Sequence, residues 1–343
     1  MLDPSLNDRQ DLSFVIAGFG SIGRRHLSNL VHLGVHDITL FRTGKSTLSN
    51  AEHVRALVEY DLTKILSRQP DGVIISNPTA LHMEVAMQAA NAGSHILLEK
   101  PISHNLAGVR ELEVLVHEKG LKVLVGFQFR FHPALIQIKN WIDEGILGKV
   151  LSVEVHWGEF LPSWHPWEDY KKGYSARKDL GGGVLLTLCH PFDYLKWMFG
   201  DIQSVYGMTG HVSDLEMDTE DIAVVSLRFA SGLLGTVHLD YVRKPAKHHL
   251  TILCEEGVIT WDNDESCALM QDGETQKIKR ICPPESFERN SLFIDEVSHF
   301  IDCIQNGQKP ICDLGEGIHA LKVVLAAKKS AEEKREVEVA SIV

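Results

Sequence analysis

The chain has 343 residues, 44% of them hydrophobic, and a formal net charge of −12. That length and apolar content provide for a large core and favour two domains. The acidic balance, with no basic block to offset it, excludes a general nucleic-acid or anionic-membrane surface as partner.

Residues 1–12 lack the cationic and apolar regions of a secretory signal, and no apolar run reaches the ~18 residues of a membrane span. A cytoplasmic protein is expected. From residue 12 the chain alternates as βαβ units do. An apolar strand at 12–18 precedes a helix from Ser21 to about Leu33, with Gly34 as its stop. Asp37–Phe41 reads as the second strand, and a helix is expected near residues 54–68. The run at 72–76 is a buried strand, after which Thr79 caps a helix whose positions Leu81, Val85, Ala86 and Ala89 share one face up to Gly93. A strand at 95–98, a helix at 105–119 and a strand at 121–127 follow. Short Val/Ile/Leu strands separated by helices imply a parallel sheet covered on both faces.

From about residue 150 the rhythm changes. Strands are expected at 150–156, 222–229, 233–241, 250–254 and 258–261, with turns at Ser231-Gly232 and Glu256-Gly257. Val225, Leu227 and Phe229 alternate with Val224, Ser226 and Arg228, the period of a sheet with one solvated face. Helices at about 292–306 and 318–333 close the chain.

Four strand ends carry chemistry. Gly18-Phe19-Gly20-Ser21-Ile22-Gly23 follows a strand and opens a helix, the setting of a dinucleotide fingerprint. Its glycines permit a tight turn, close approach to a pyrophosphate and helix–strand packing; the helix N-terminus offers N–H groups to the anion. The second strand ends in Phe41-Arg42-Thr43-Gly44-Lys45-Ser46, without the acidic residue that usually holds a ribose 2′-hydroxyl. Arg42, with Thr43 and Ser46, suits a 2′-phosphate, so NADP(H) is favoured over NAD(H). Ser76-Asn77-Pro78 and His82 stand at the next strand end, and Glu99-Lys100-Pro101 at the one after. A lysine at that place takes or supplies the proton that accompanies hydride transfer.

These motifs together resemble the Gfo/Idh/MocA family of NAD(P)-dependent oxidoreductases. Gly126…Arg130…Pro133, Gly145-Ile146-Leu147-Gly148, Gly181-Gly182-Gly183 leading to His190-Pro191-Phe192-Asp193, and Phe293…Glu296…Phe300 add to the likeness. The resemblance implies an α/β protein. A Rossmann domain with a doubly wound parallel sheet occupies residues 1–127. A substrate-binding and oligomerisation domain with a large open, mostly antiparallel sheet occupies 128–343. It implies hydride transfer between nicotinamide and a sugar, sugar nucleotide or related alcohol or ketone, in a homodimer or homotetramer built through that sheet. Lys100 and His190 are then the expected catalytic residues. Gly18, Phe19, Gly20, Ser21, Ile22, Gly23, Arg42, Thr43, Ser76, Asn77, Pro78, His82, Glu99 and Lys100 line the cofactor. The family likeness also allows a cis Pro101. Gln128, Arg130, Trp164, Tyr174, Arg177, Thr187 and His190 are the candidate substrate contacts; the segment around Trp164–Arg177 is similar to members associated with bacterial surface sugars.

One position departs from the family. An Asp usually stands four residues before the His, whereas this chain has Leu186, with Thr187 beside it. Two other functions stay open: a glycosidase using bound NAD for transient oxidation, and a non-enzymatic cofactor-sensing regulator. The six cysteines lack CxxC spacing and are expected as reduced thiols; the 18 histidines read as scattered surface and core residues, so no metal is expected.

Overall fold

The computed structural model describes residue 9 and residues 11–44 and 56–343. It contains two compact units. The first comprises residues up to Gln128, Asp179–Gly181 and Arg289–Ile318; the second comprises Phe129–Lys178, Gly182–Glu288 and His319–Val343.

In the first unit the strands are Ser13–Ala17 (β1), Asp37–Phe41 (β2), Leu57–Glu59 (β3), Gly72–Ile75 (β4), His95–Glu99 (β5) and Val123–Gly126 (β6). They form one parallel sheet in the order β3-β2-β1-β4-β5-β6. The reversal of direction from β1 is what places ligand chemistry at the strand C-termini. The intervening helices are Ser21–His32 (α1), Leu62–Leu66 (α2), His82–Ala92 (α3) and Val109–Lys119 (α4). Two expectations are corrected here. The helix expected near 54–68 is the short strand β3 followed by α2, which Asp61 caps by accepting from the Lys64 amide; residues 54 and 55 lie outside those described. Thr79 starts a 3-10 turn, Thr79–Leu81, and α3 begins at His82.

The second unit carries Pro133–Asp143 (α5), Val150–Phe160 (β7), Val184–Thr187 (α6), His190–Phe199 (α7), Ile202–Gly210 (β8), Ile222–Phe229 (β9), Leu234–Asp240 (β10), Val242–Cys254 (β11), Gly257–Asp262 (β12), Cys267–Asp272 (β13) and Ile278–Ile281 (β14). Helix Arg289–Asn306 (α8) belongs to the first unit, helix Leu314–Glu333 (α9) runs from the first into the second, and Val337–Glu338 (β15) completes the second sheet. That sheet has nine strands in the order β14-β13-β12-β11-β7-β10-β9-β8-β15, parallel between β7 and β10 and antiparallel at the other pairings. In β7, Val153, Val155 and Trp157 are buried while Ser152, Glu154 and His156 face outward, the alternation that period-two geometry requires.

The cysteines require a correction. Cys267 and Cys282, expected as reduced thiols, are joined by a disulfide. The antiparallel register that pairs Ala268 with Ile281 sets the two residues directly across from each other, with Cα atoms 4.2 Å apart. Cys189, Cys254, Cys303 and Cys312 are buried and form no disulfide. No helix among the described residues is long and apolar enough to cross a membrane.

The return of residues 289–318 completes the core of the first unit. Phe300 of α8 meets Phe14 of β1 edge to face, with ring centroids 6.1 Å apart, and both rings are buried. Phe300→Ala should therefore destabilise the protein by about 3–5 kcal/mol, read as a lower urea midpoint at unchanged slope.

Candidate functional site

The glycine turn after β1 is shaped by contact with the end of β4. Gly18 has φ +103, and a Cβ there would lie 2.4 Å from the Asn77 nitrogen. A Cβ on Gly23 would lie 2.0 Å from the Gly18 carbonyl oxygen. Ser76 fastens the turn by donating its hydroxyl to that carbonyl at 2.9 Å. Gly20 is different: nothing lies within 4 Å of where its Cβ would be. The first turn of α1 has no side-chain cap and no acidic residue, so its amides point at this open space. The arrangement fits a dinucleotide pyrophosphate held by backbone N–H groups.

Beside the turn, the Phe19 ring is flanked by two guanidiniums, with Arg24 Cζ 4.8 Å and Arg42 Cζ 5.8 Å from its centroid. Arg42 was expected here and Thr43 is exposed at the same strand end, whereas Arg24 was not anticipated. Its signal was its position in the first turn of the fingerprint helix, directly after Gly23. Lys45 and Ser46 lie outside the described residues. The carboxylate in register with the end of β2 is Glu59, and it is engaged by the Lys64 ammonium and the Tyr60 amide. The Lys64 bond first, then the Tyr60 amide, hold its pKa below the ordinary carboxylate range.

At the end of β5 the Lys100–Pro101 peptide is cis, and Lys100 is half-buried. The residues around it act as braces. His82 is buried, with Nδ1 2.9 Å from the Pro101 carbonyl oxygen and Nε2 2.9 Å from that of Asn77. It thereby ties the ends of β4 and β5 together, and burial pulls its pKa down against those carbonyls. Asn77 donates to the Leu81 carbonyl at 3.3 Å, and Pro78 precedes that turn. Glu99 is buried and bonded to His26 Nε2 at 2.7 Å. Behind the pair stands Glu296 of α8, wholly buried, its two carboxyl oxygens without a hydrogen-bond partner. Burial, and then the charge of Glu99, push the Glu296 pKa well above the carboxylate range. Glu296 therefore has its neutral form favoured behind the strand end that presents Lys100.

In the second unit, His190 opens α7 and is enclosed by Phe129, ring centroids 4.9 Å apart, and Trp157, 5.6 Å apart. Trp157 stacks on His248 at 4.2 Å, and Tyr194 Oη lies 3.1 Å from His248 Nε2. Burial lowers the His248 pKa well below the imidazole range and that of His132 to about 4, so both rings are neutral near pH 7. Arg130, expected as a substrate contact, is buried. It donates from Nε to Asp193 Oδ2 at 3.0 Å and from Nη2 to Oδ1 at 2.7 Å, which anchors α7 from beneath. Thr187 and Leu186 are buried in α6.

Tyr174 and Arg177 lie on a segment fastened by the glycine run. Gly182 N donates to the Arg177 carbonyl at 2.9 Å and Gly183 N to that of Ser175 at 3.0 Å. A Cβ on Gly182 would collide with the Tyr174 carbonyl, 2.3 Å away. Tyr174 is half-buried and Arg177 exposed; Trp164, half-buried, meets Tyr241 edge to face at 5.5 Å. Gln128 is buried at the end of the first unit's main segment.

Residues 12–127 match the family described as "Oxidoreductase family, NAD-binding Rossmann fold", and residues 139–339 match "Oxidoreductase family, C-terminal alpha/beta domain". Among curated proteins, myo-inositol 2-dehydrogenase of Thermotoga maritima is 27% identical over 282 residues, 80% of this chain and 81% of the relative. The scyllo-inositol 2-dehydrogenase (NAD(+)) of Bacillus subtilis is 27% identical over 342 residues, 92% of each. Among solved structures, levoglucosan dehydrogenase in complex with NADH superposes with a TM-score of 0.86 at 19% identity, covering 96% of this chain and 99% of that one, which shows the shared fold.

The buried Glu296 carries a pH signature. Its folded-state pKa is raised, so above the unfolded value the folded chain binds more protons than the unfolded chain, and stability falls as pH rises through that window. Glu296→Gln removes this proton linkage. Its melting temperature relative to the parent should rise from about pH 5 to about pH 8; a constant difference across that range would show Glu296 ionised in the fold.

Proposed function

The chain belongs to the Gfo/Idh/MocA oxidoreductase family, and from that footing we propose that it is an NADP(H)-dependent dehydrogenase or reductase acting on a sugar or sugar-derived alcohol or ketone. The observation that carries the reading is the first unit's sheet edge, where the open glycine cradle stands at the end of β1 and Lys100 at the end of β5, with β4 paired between them. The curated relatives named for inositol oxidation support a polyhydroxylated substrate.

The nicotinamide dinucleotide supplies the hydride donor or acceptor when bound. The chain's residues do the rest. The amides of α1 and the Gly20 backbone hold the pyrophosphate, and Arg24 and Arg42 bind the 2′-phosphate, each with a planar set of donors matched to phosphate oxygens. Lys100 Nζ takes the proton from a substrate hydroxyl during oxidation and returns it during reduction, a role worth about 10²–10⁴ in rate. His190 orients the reacting oxygen, and Tyr174, Arg177, Trp164, Thr187 and Gln128 contact the substrate. Phe19, Ser21, Ile22, Ser76, Asn77 and Pro78 shape the cofactor's surroundings through backbone and packing. His82 and Glu99 contribute by bracing. Assembly into a dimer or tetramer through the nine-stranded sheet, in the cytoplasm, completes the proposal.

Two measurements test it. Lys100→Met should abolish turnover of a panel of polyols and sugars, followed by cofactor absorbance, while leaving the dissociation constant for NADPH nearly unchanged; retained activity would sink the assigned role. Arg42→Ala, and the double change with Arg24→Ala, should weaken NADPH binding by about 10- to 100-fold, roughly 1.4–2.8 kcal/mol, with little effect on NADH. Equal losses for both cofactors would instead favour NAD(H).

A further inference from the structure

Among the described residues, two groups bring three metal-type donor atoms within 4.8 Å of one another: His26, Glu99 and Glu296, and His156, His238 and Asp240. The first is closed. His26 and Glu99 already share a hydrogen bond of 2.7 Å, and all three side chains are buried.

The second is built differently. Strands β7 and β10 run parallel with His156 beside His238, and the ring centroids are 4.4 Å apart. Asp240, two residues along β10 and on the same face, turns its carboxylate back between them. A single oxygen, Oδ2, then lies 3.4 Å from His156 Nε2 and 3.3 Å from His238 Nε2. Gly158, the register partner of Asp240, makes the room: a Cβ there would lie 2.3 Å from Oδ2. The other oxygen is fixed by the Val242 amide at 3.1 Å. The two rings are 27% and 33% exposed and the carboxylate 4%, so an ion can reach the three donors.

Separations of this size exceed the usual N–H···O range. They match the edge of a tetrahedron of ligands, which is about 3.3–3.5 Å when each donor stands about 2.0–2.2 Å from the ion. We propose that His156, His238 and Asp240 form a site for one divalent ion of the zinc class on the outer face of the nine-stranded sheet, with the fourth position open to water. Arg243 Nη1 lies 3.1 Å from His156 Nε2. Arginine only donates, so that nitrogen presents a lone pair, the form a metal requires; the guanidinium yields its place when the ion binds. Lys247, in register with Gly158, adds positive charge nearby, while His249 turns to Asp262 and Thr251. Strand alternation puts His156 on the face opposite Trp157 and its stacking partner His248, so the ion clamps β7 to β10 away from the His190 surroundings.

The test uses the full chain, stripped with a chelator and titrated with Zn²⁺ alone, then with Co²⁺ as a spectroscopic probe. One zinc per chain, a rise in melting temperature, and the visible absorption of tetrahedral Co²⁺ are expected. His238→Gln, at a partly exposed position, and His156→Ala should each weaken zinc binding at least 10-fold with unchanged circular dichroism. Arg243→Ala should bind zinc as tightly or more tightly, and His249→Ala should match the parent. Substoichiometric zinc in the parent, binding retained in the doubly substituted His156/His238 chain, or an equal loss in His249→Ala would overturn the proposal. Because the readout is metal binding, its failure is distinct from failure of the oxidoreductase reading.

Discussion

The contact on which the first unit depends is between two stretches of backbone. Gly18 and Gly23 lie against each other and against the end of β4 at distances that leave no volume for a side chain, and the Ser76 hydroxyl bonds the Gly18 carbonyl across the gap. Parallel pairing of β1 with β4 sets this approach, and pairing of β4 with β5 carries it on to Glu99 and Lys100. The glycine turn and Lys100 thus share one frame of paired strands. Gly20, between Gly18 and Gly23, has nothing within 4 Å of where its Cβ would be.

That frame is stiffened from behind at a cost. Glu99, His26 and Glu296 place two carboxyls and an imidazole where water does not reach, and a second ionised carboxylate there would be strongly disfavoured. Burial and the charge of Glu99 push the Glu296 pKa up, which eases the conflict, while Glu99 bonds His26. His82 does the corresponding work on the other side, joining the Asn77 and Pro101 carbonyls. Residues that sequence reading assigned to the cofactor therefore divide into those with space in front of them, such as Gly20 and the α1 amides, and those whose polar atoms are spent on the backbone.

The parallel sheet of the first unit was legible because buried strands and amphipathic helices alternate with glycine stops, and local pattern records that directly. The fingerprint was legible through spacing, and the cis Pro101 through the family resemblance alone. What escaped was long-range. The placement of residues 289–318 in the first unit, the bidentate Arg130–Asp193 pair across 63 residues, and the opposition of Cys267 to Cys282 all follow from register and packing, which no window of sequence contains. His156 and His238 escaped for the same reason: strand pairing makes them neighbours although they share no helical spacing. Residues 57–59 were missed because tertiary pairing with β2 overrides weak local preference.

The absence of an acid at position 186 also has a structural context. Leu186 lies in α6 with Val184 and Leu185 buried beside it, and His190 is flanked by the Phe129 and Trp157 rings. The histidines next to it, His132 and His248, are held neutral by burial. The nearest buried carboxylate on the same helix, Asp193, is committed to Arg130. A carboxylate added at Leu186 would thus enter apolar surroundings and be pushed toward its neutral form. The apolar setting of position 186 and the commitment of Asp193 to Arg130 therefore leave α6 and the start of α7 without a carboxylate beside His190 that is not already paired.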